Sequence, residues 1–369
     1  MPPNANLEEL RQAGVSIWLD ALSRGLLDRG EFADLIGDYS VTGATSNPTI
    51  FAAAISGSHD YDDQLRRLAS AGCHDAQELF FAIAVDDVRA AARELRSVYD
   101  RSDGRDGFIS FECTPDLAHD AEATIKQATD LWQRLGEPNV MIKVPGTQAG
   151  LAVIEELTRR AINVNVTLLF GIARYEEVMD AYLRGLTARA DAREPLAGIA
   201  SVASFFLSRI DTKAGAQLAD DSPLGGRVAI ANARVAYQRY LAKFAGPEWE
   251  RLQKLGARSQ RPLWASTGTK DPGYSDVLYV AELVGTDVVN TMPEKTLRAF
   301  ADHGQVARTL DADPVEAEQT LADAAAAGID LAAISADLER EGVQSFCDSY
   351  DQLLECIEGK LGAVAAVGH

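Results

Sequence analysis

Residues 162–168 read Ile162-Asn163-Val164-Asn165-Val166-Thr167-Leu168. The pattern repeats every two residues. Asn163, Asn165 and Thr167 fall on one face of an extended chain, and Ile162, Val164, Val166 and Leu168 on the other. Such a strand is either a half-exposed antiparallel strand or a parallel strand whose outer face lies under helices and whose inner face lines a pocket. The surroundings favour the second. Short β-branched or apolar runs at residues 15–19, 41–45, 108–112, 140–145, 162–169, 199–206, 263–266 and 287–291 alternate with longer helical patterns. Examples of the latter are 76–99, 116–135, 151–160, 174–189 and 227–244. That alternation implies parallel strands joined by helical crossovers. Eight such units predict a closed (β/α)8 TIM barrel. A doubly wound α/β sheet is the runner-up, but its Gly-rich first turn is missing.

Helix-start signals agree. Asn47-Pro48 and Thr114-Pro115 each place a capping residue before a proline at the first helical position. Thr291-Met-Pro-Glu294 reads as a capping box with an internal proline. A plain barrel needs about 250 residues, and this chain has 369. One excess is residues 51–99, read as extra helices between strands two and three. The other is 311–369, where Val343, Phe346, Tyr350, Leu353, Leu354 and Ile357 recur at helical spacing. No Pro/Ser linker cuts the chain, and 220–226 reads as a loop. The expectation is one domain over 1–369, with 311–369 a helical tail packed on the barrel.

The composition is that of an ordinary globular protein, with 47% apolar and 24% charged residues. Lys plus Arg is 35 against 55 Asp plus Glu, a net charge of −20. That surface repels a phosphate backbone and argues against nucleic acid as a partner. A few local cations can still hold a small anion. No secretory signal is visible and no run reaches the ~18 apolar residues of a membrane span. Cys73, Cys113, Cys347 and Cys356 contain no C-x-x-C pair. These features predict a reduced, cytoplasmic protein with no membrane contact. The five histidines show no metal-ligand spacing, and G-x-S-x-G, Walker A and G-x-G-x-x-G signatures are absent.

Polar residues inside or at the ends of strands carry the chemistry. Lys143 stands inside Val140-Met-Ile-Lys-Val-Pro145, although lysine is depleted in strands and rarely buried. An edge strand would explain it, but a closed barrel has no edge. In a barrel mouth, desolvation favours the neutral amine, which attacks carbonyls to form a Schiff base. Glu112 ends Phe108-Ile-Ser-Phe-Glu112, and Asp20 follows Val15-Ser-Ile-Trp-Leu19. Each has a plainer explanation: Asp20 as a helix cap, Glu112 as a solvated loop residue. Asn47 is a good helix start in any protein. Together, an amine, two carboxylates and an amide at four strand ends make a Schiff-base lyase or transferase constellation.

Four stretches then resemble the transaldolase family. They are Val41-Thr-Gly-Ala-Thr-Ser-Asn-Pro-Thr-Ile50, Val140-Met-Ile-Lys-Val-Pro145, Asn163-Val-Asn-Val-Thr-Leu-Leu-Phe170 and Val202-Ala-Ser-Phe-Phe-Leu-Ser-Arg-Ile-Asp211. Ala265-Ser-Thr-Gly-Thr-Lys-Asp-Pro272 and Leu338-Glu-Arg-Glu-Gly-Val343 are similar to the longer bacterial branch. The resemblance implies a class I aldolase-type barrel that moves a dihydroxyacetone unit from sedoheptulose 7-phosphate to glyceraldehyde 3-phosphate. Erythrose 4-phosphate and fructose 6-phosphate would result, in the non-oxidative pentose phosphate pathway. It implies small sugar-phosphate partners and no metal or organic cofactor. Some relatives pair, so a homodimer is open to this chain.

The resemblance also implies roles. Lys143 stands in the Schiff-base position. Glu112 matches the carboxylate that works through a water, and Thr167 the residue that helps place it. Asp20 matches the acid/base of C–C cleavage. Asn47, Ser110, Asn165 and Ser204 match groups holding the dihydroxyacetone hydroxyls. Arg209 and Ser266 match phosphate ligands. The family often has a second phosphate-binding arginine just after the serine; here Thr267-Gly-Thr-Lys270 follows, and Lys270 is the candidate substitute. Phe206 bears on the nearest rival, an aldolase releasing free dihydroxyacetone, in which a tyrosine tends to fill that position. A phosphate-isomerising barrel, which needs no imine, and a non-catalytic scaffold are more distant rivals.

Overall fold

The structure is a computed structural model that describes residues 3–219 and 221–367, with side chains up to residue 362. Eight strands are present: β1 Val15–Leu19, β2 Gly43–Thr45, β3 Ile109–Glu112, β4 Val140–Pro145, β5 Val164–Leu169, β6 Ser201–Phe206, β7 Gln260–Ala265 and β8 Val288–Met292. All pairs are parallel, each strand lies beside its sequence neighbour, and β8 returns to β1 to close the barrel. The expected (β/α)8 architecture is therefore the observed one. Ends differ by one to three residues. β7 runs Gln260–Ala265 rather than 263–266, because Ser266 turns into the left-handed region at φ 56° and ends the extended run.

The helix starts are mixed. Asn47 caps Pro48–Ser56, its side chain accepting from the Ile50 N–H at 2.9 Å. Thr114 makes no such bond, and only a 3-10 turn, Pro115–Leu117, follows it. The helix proper begins at Ala121 under Asp120. The capping box at Thr291 is also absent. Thr291 belongs to β8, and its hydroxyl lies 2.8 Å from that of Thr45 on β2. β1 separates those two strands, so the pair meets inside the barrel. Glu294 instead pairs with Arg298.

Bulk at the barrel floor is matched by its absence opposite. Trp18 is fully buried and donates from its indole to Asp106 at 2.8 Å. Its partner across β1–β2 is Gly43, where a Cβ would lie 2.5 Å from the indole. Only glycine fits there.

The two excess segments are helical. Between β2 and β3 come Pro48–Ser56, Asp62–Ser70 and Ala76–Arg101. After β8 and Glu294–His303 come Pro314–Ala326 and the long helix Leu331–Val367. The long helix packs on Pro48–Ser56, Asp62–Ser70, Ala76–Arg101, Ser208–Gly215 and β5. It therefore touches the elements around the C-terminal mouth. Phe346, Tyr350, Leu353 and Ile357 are its buried stripe. The expected loop at 220–226 begins at Asp220, outside the described residues; its remainder is turn. Among the described residues, no helix is long and apolar enough to cross a membrane.

Candidate active site

The inner face of the barrel shows itself in contacts that skip a strand. Asn165 on β5 donates to the Ser110 hydroxyl on β3 at 2.9 Å, across β4. The Ser204 hydroxyl on β6 donates to Asn165 Oδ1 at 2.7 Å. All three side chains are buried. This ladder shows the polar inner face expected from the alternation of residues 162–168, with two corrections. Asn163 lies at the opposite, N-terminal end, where it donates to the Pro138 and Val140 carbonyls and accepts from the Ala200 N–H. It ties strand entries together and takes no part in the ladder. Leu168 has φ 59° at a register shift between Val166 and Leu169. The bulge breaks the alternation, and its side chain reaches the long C-terminal helix at Gly342.

Above the ladder sit the charged groups. Lys143 on β4 is 4% exposed and Glu112 on β3 is 8% exposed. Lys143 Nζ donates to the Ser46 carbonyl at 3.2 Å and lies 3.5 Å from Glu112 Oε2. The two residues are register partners across β3–β4, so strand pairing alone brings them together. Burial pushes the Glu112 carboxyl up to about 7; Lys143 pulls it down and the Asp20 charge raises it further. Glu112 Oε2 and the Thr167 hydroxyl, both buried, have no hydrogen-bond partner among the described residues.

Asp20 does not cap the next helix; Ser23 does, accepting from Leu26 N–H. Asp20 extends the β1 ladder through its N–H to the Met292 carbonyl at 2.8 Å. Its carboxylate accepts from the Thr45 hydroxyl at 2.6 Å, and Thr45 in turn faces Thr291. With Thr45 donating to Asp20, Thr291 donates to Thr45, and the chain fixes Asp20 at the mouth. Thr45 does not stand out in the sequence, and Thr291 does so only as a helix-cap signal. Both are β-branched residues in strands, where threonine is common for reasons of packing.

Asn47 sits half-buried at the mouth with Oδ1 used in its cap. Arg209 lies over the Phe206 ring at 5.5 Å, and Phe206 packs on Phe170 with ring centres 5.3 Å apart. Desolvation lowers the Arg209 pKa from its ordinary value, without threatening its charge. Ser266 is joined to this region through the neighbouring Ser208, the two hydroxyl oxygens being 2.6 Å apart. Lys270 is exposed and shares a groove of about 520 Å³ with Ser208, Thr212 and Tyr274.

A second cavity, of about 280 Å³, opens at the N-terminal face beside Phe108, Met141 and Arg261. Its arginines are committed: Arg105 to Asp287, Arg258 to Asp103 and Arg261 to Ser16. The convergent amine and carboxylates are at the other end, where barrels keep their chemistry.

A family model described as "Transaldolase/Fructose-6-phosphate aldolase" matches residues 17–357. A transaldolase of Frankia alni is 48% identical over 362 residues, covering 96% of this chain and 97% of that protein. Transaldolases of Saccharopolyspora erythraea and Mycolicibacterium smegmatis are each 47% identical, covering 98% of this chain and 99% of theirs. The matches span the whole barrel and the long C-terminal helix as far as Ile357, and on them the chain belongs to the transaldolase/fructose-6-phosphate aldolase family.

Proposed function

We propose that this protein is an aldehyde–ketone transferase acting through an imine on Lys143. It carries a dihydroxyacetone unit from sedoheptulose 7-phosphate to glyceraldehyde 3-phosphate, in the non-oxidative pentose phosphate pathway. The observation that carries the proposal is a buried amine 3.5 Å from a buried carboxyl at the C-terminal end of the barrel. Lys143 adds to the ketose C2 carbonyl and expels water. With its pKa near 7, Glu112 can give or take a proton at neutral pH. The Thr167 hydroxyl and Glu112 Oε2, neither held in a protein hydrogen bond, are assigned the water of that step. Asp20 takes the proton of the donor C4 hydroxyl. The C3–C4 bond then breaks, its electron pair flows into the protonated imine, and an enamine remains. The Ser110–Asn165–Ser204 ladder and Asn47 hold the hydroxyls of the three-carbon unit, at little reorganisation cost because the ladder is already bonded together. The enamine attacks the acceptor aldehyde, and Asp20 returns the proton.

Arg209 and Ser266 are assigned the phosphate, with Lys270 as the second cation. The reading keeps the site free of metal and organic cofactor, and places the enzyme in the cytoplasm among soluble sugar phosphates.

Borohydride trapping with fructose 6-phosphate tests the imine. The expected product is a reduced three-carbon adduct on the peptide bearing Lys143. A folded protein that traps nothing would end the imine mechanism. The family's description also covers release of free dihydroxyacetone. Phe206, which carries no phenol, supports transfer, and comparing free dihydroxyacetone with product formed on an aldehyde acceptor separates the two.

A further inference from the structure

The amine has a neighbour from the far end of the chain. The Phe346 ring, on the helix Leu331–Val367, is centred 5.8 Å from Lys143 Nζ. Phe346 is itself 5% exposed. One turn before it, Gly342 lets the helix backbone settle on the mouth: a Cβ there would come within 2.9 Å of Leu168 and 3.5 Å of Arg209 Nη1. The helix is pinned along its length. Glu341 accepts from Lys213 at 2.6 Å, Glu339 lies 3.5 Å from Arg174, and Ser349 is bonded to Thr49 at 2.8 Å. Lys360 pairs with Asp62 at 2.7 Å. The arrangement is a fixed roof.

We propose that Phe346 is a specificity-determining residue: it screens the Lys143 adduct from bulk solvent, so that the three-carbon unit is transferred and not released. The inference rests on the imine reading above. Transfer and release share imine formation and imine hydrolysis. They part at the enamine. In transfer, the enamine carbon bonds to the acceptor aldehyde carbon and the new alkoxide takes a proton. In release, the same carbon takes a proton from solvent and gives a protonated imine. Water then adds at C2 and the C–N bond breaks. Dihydroxyacetone leaves and Lys143 returns as the ammonium. The distinguishing step is therefore protonation of carbon by solvent. An apolar ring over the nitrogen excludes that solvent.

The test compares release with transfer. Wild-type protein is first trapped with borohydride and fructose 6-phosphate. The ratio of free dihydroxyacetone to transferred product is then measured with sedoheptulose 7-phosphate as donor and glyceraldehyde 3-phosphate as acceptor, the transferred product being fructose 6-phosphate. In Phe346→Ala the ratio should rise by about tenfold or more, and dihydroxyacetone released in D2O should carry one carbon-bound deuterium. Phe346→Leu, which refills the space with apolar bulk, should bring the ratio back toward wild type. A folded Phe346→Ala with the wild-type ratio overturns the proposal, and so does a Leu variant that leaks as much as Ala. If the Ala variant does not fold, Phe346→Val takes its place with the same expected rise, and an unchanged ratio again overturns it. Failure to trap any adduct on the wild type would instead bring down the imine reading, a result distinct from equal ratios in an enzyme that traps and transfers.

Discussion

Glu112 is a buried acid whose pKa lies at about 7 against an ordinary 4.5, because desolvation outweighs the pull of Lys143. Between those values the folded protein keeps a proton that the unfolded chain has lost. The folded state then binds more protons, so this group makes stability fall as pH rises from about 4.5 to about 7, and adds no further slope above. Glu112→Gln should remove that slope, which urea unfolding across the window would show. The same titration should shape catalysis. Trapping rates should change with a midpoint near pH 7 in the wild type, and that inflection should be missing in the Gln variant. Asp20 offers a sharper test. Asp20→Ala should still form the imine but stall at cleavage, with turnover down by about 10²–10⁴. Borohydride should then trap the intact sugar phosphate in place of a three-carbon unit. Normal turnover would remove Asp20 from the acid/base role. Lys143 and Glu112 were legible because each is an ionisable group in a barrel strand that should be apolar, and Asp20 because it directly follows one. Thr45, Thr291 and the Ser46 carbonyl were not, since their importance lies only in what they touch.

At the scale of elements, two strands leave the mouth through strained backbone, Leu168 at φ 59° and Ser266 at φ 56°. Non-glycine residues there cost about 1–3 kcal/mol and persist where surrounding structure holds them. Each lies beside a residue assigned to the site or is one itself. The long C-terminal helix was readable as a helix from its apolar stripe. Which surface that stripe covers was not, because periodicity marks a buried face without naming its partner. Its attachment should be mainly apolar. Leu353 is fully buried, so Leu353→Ala should cost about 2–5 kcal/mol in chemical unfolding. Lys213→Ala should cost less than about 1 kcal/mol, because its partner Glu341 is more than half exposed. A larger loss for Lys213 would mean that ion pairs hold the roof.

The whole molecule carries a net charge of −20. Self-repulsion should weaken the fold at low ionic strength, where the Debye length is about 30 Å, and fade at about 8 Å near physiological salt. The melting temperature should therefore rise between about 10 and 150 mM NaCl. A fall would show that the many local surface pairs outweigh the net field. On the proposed phosphate role of Arg209, Arg209→Ala should raise KM for phosphorylated sugars and leave the trapping of unphosphorylated dihydroxyacetone nearly intact. An unchanged KM would move the phosphate site away from Arg209.

The order of eight strands, their parallel sense and the ionisable residues at their ends were determined by the sequence itself, because a covered barrel strand must be apolar wherever chemistry does not intervene. The fate of individual polar residues was decided only in three dimensions. Asn163 and Asn165 share one strand face and one residue type, yet the first ties backbone at the barrel floor and the second joins Ser110 to Ser204. Alternation gives the side of the sheet but not the depth along the barrel, which depends on how far each strand is sheared against its neighbours. The meeting of Phe346 with Lys143 is of the same kind. It comes from a helix folded back across the mouth, a contact between distant parts of the chain that no local pattern encodes.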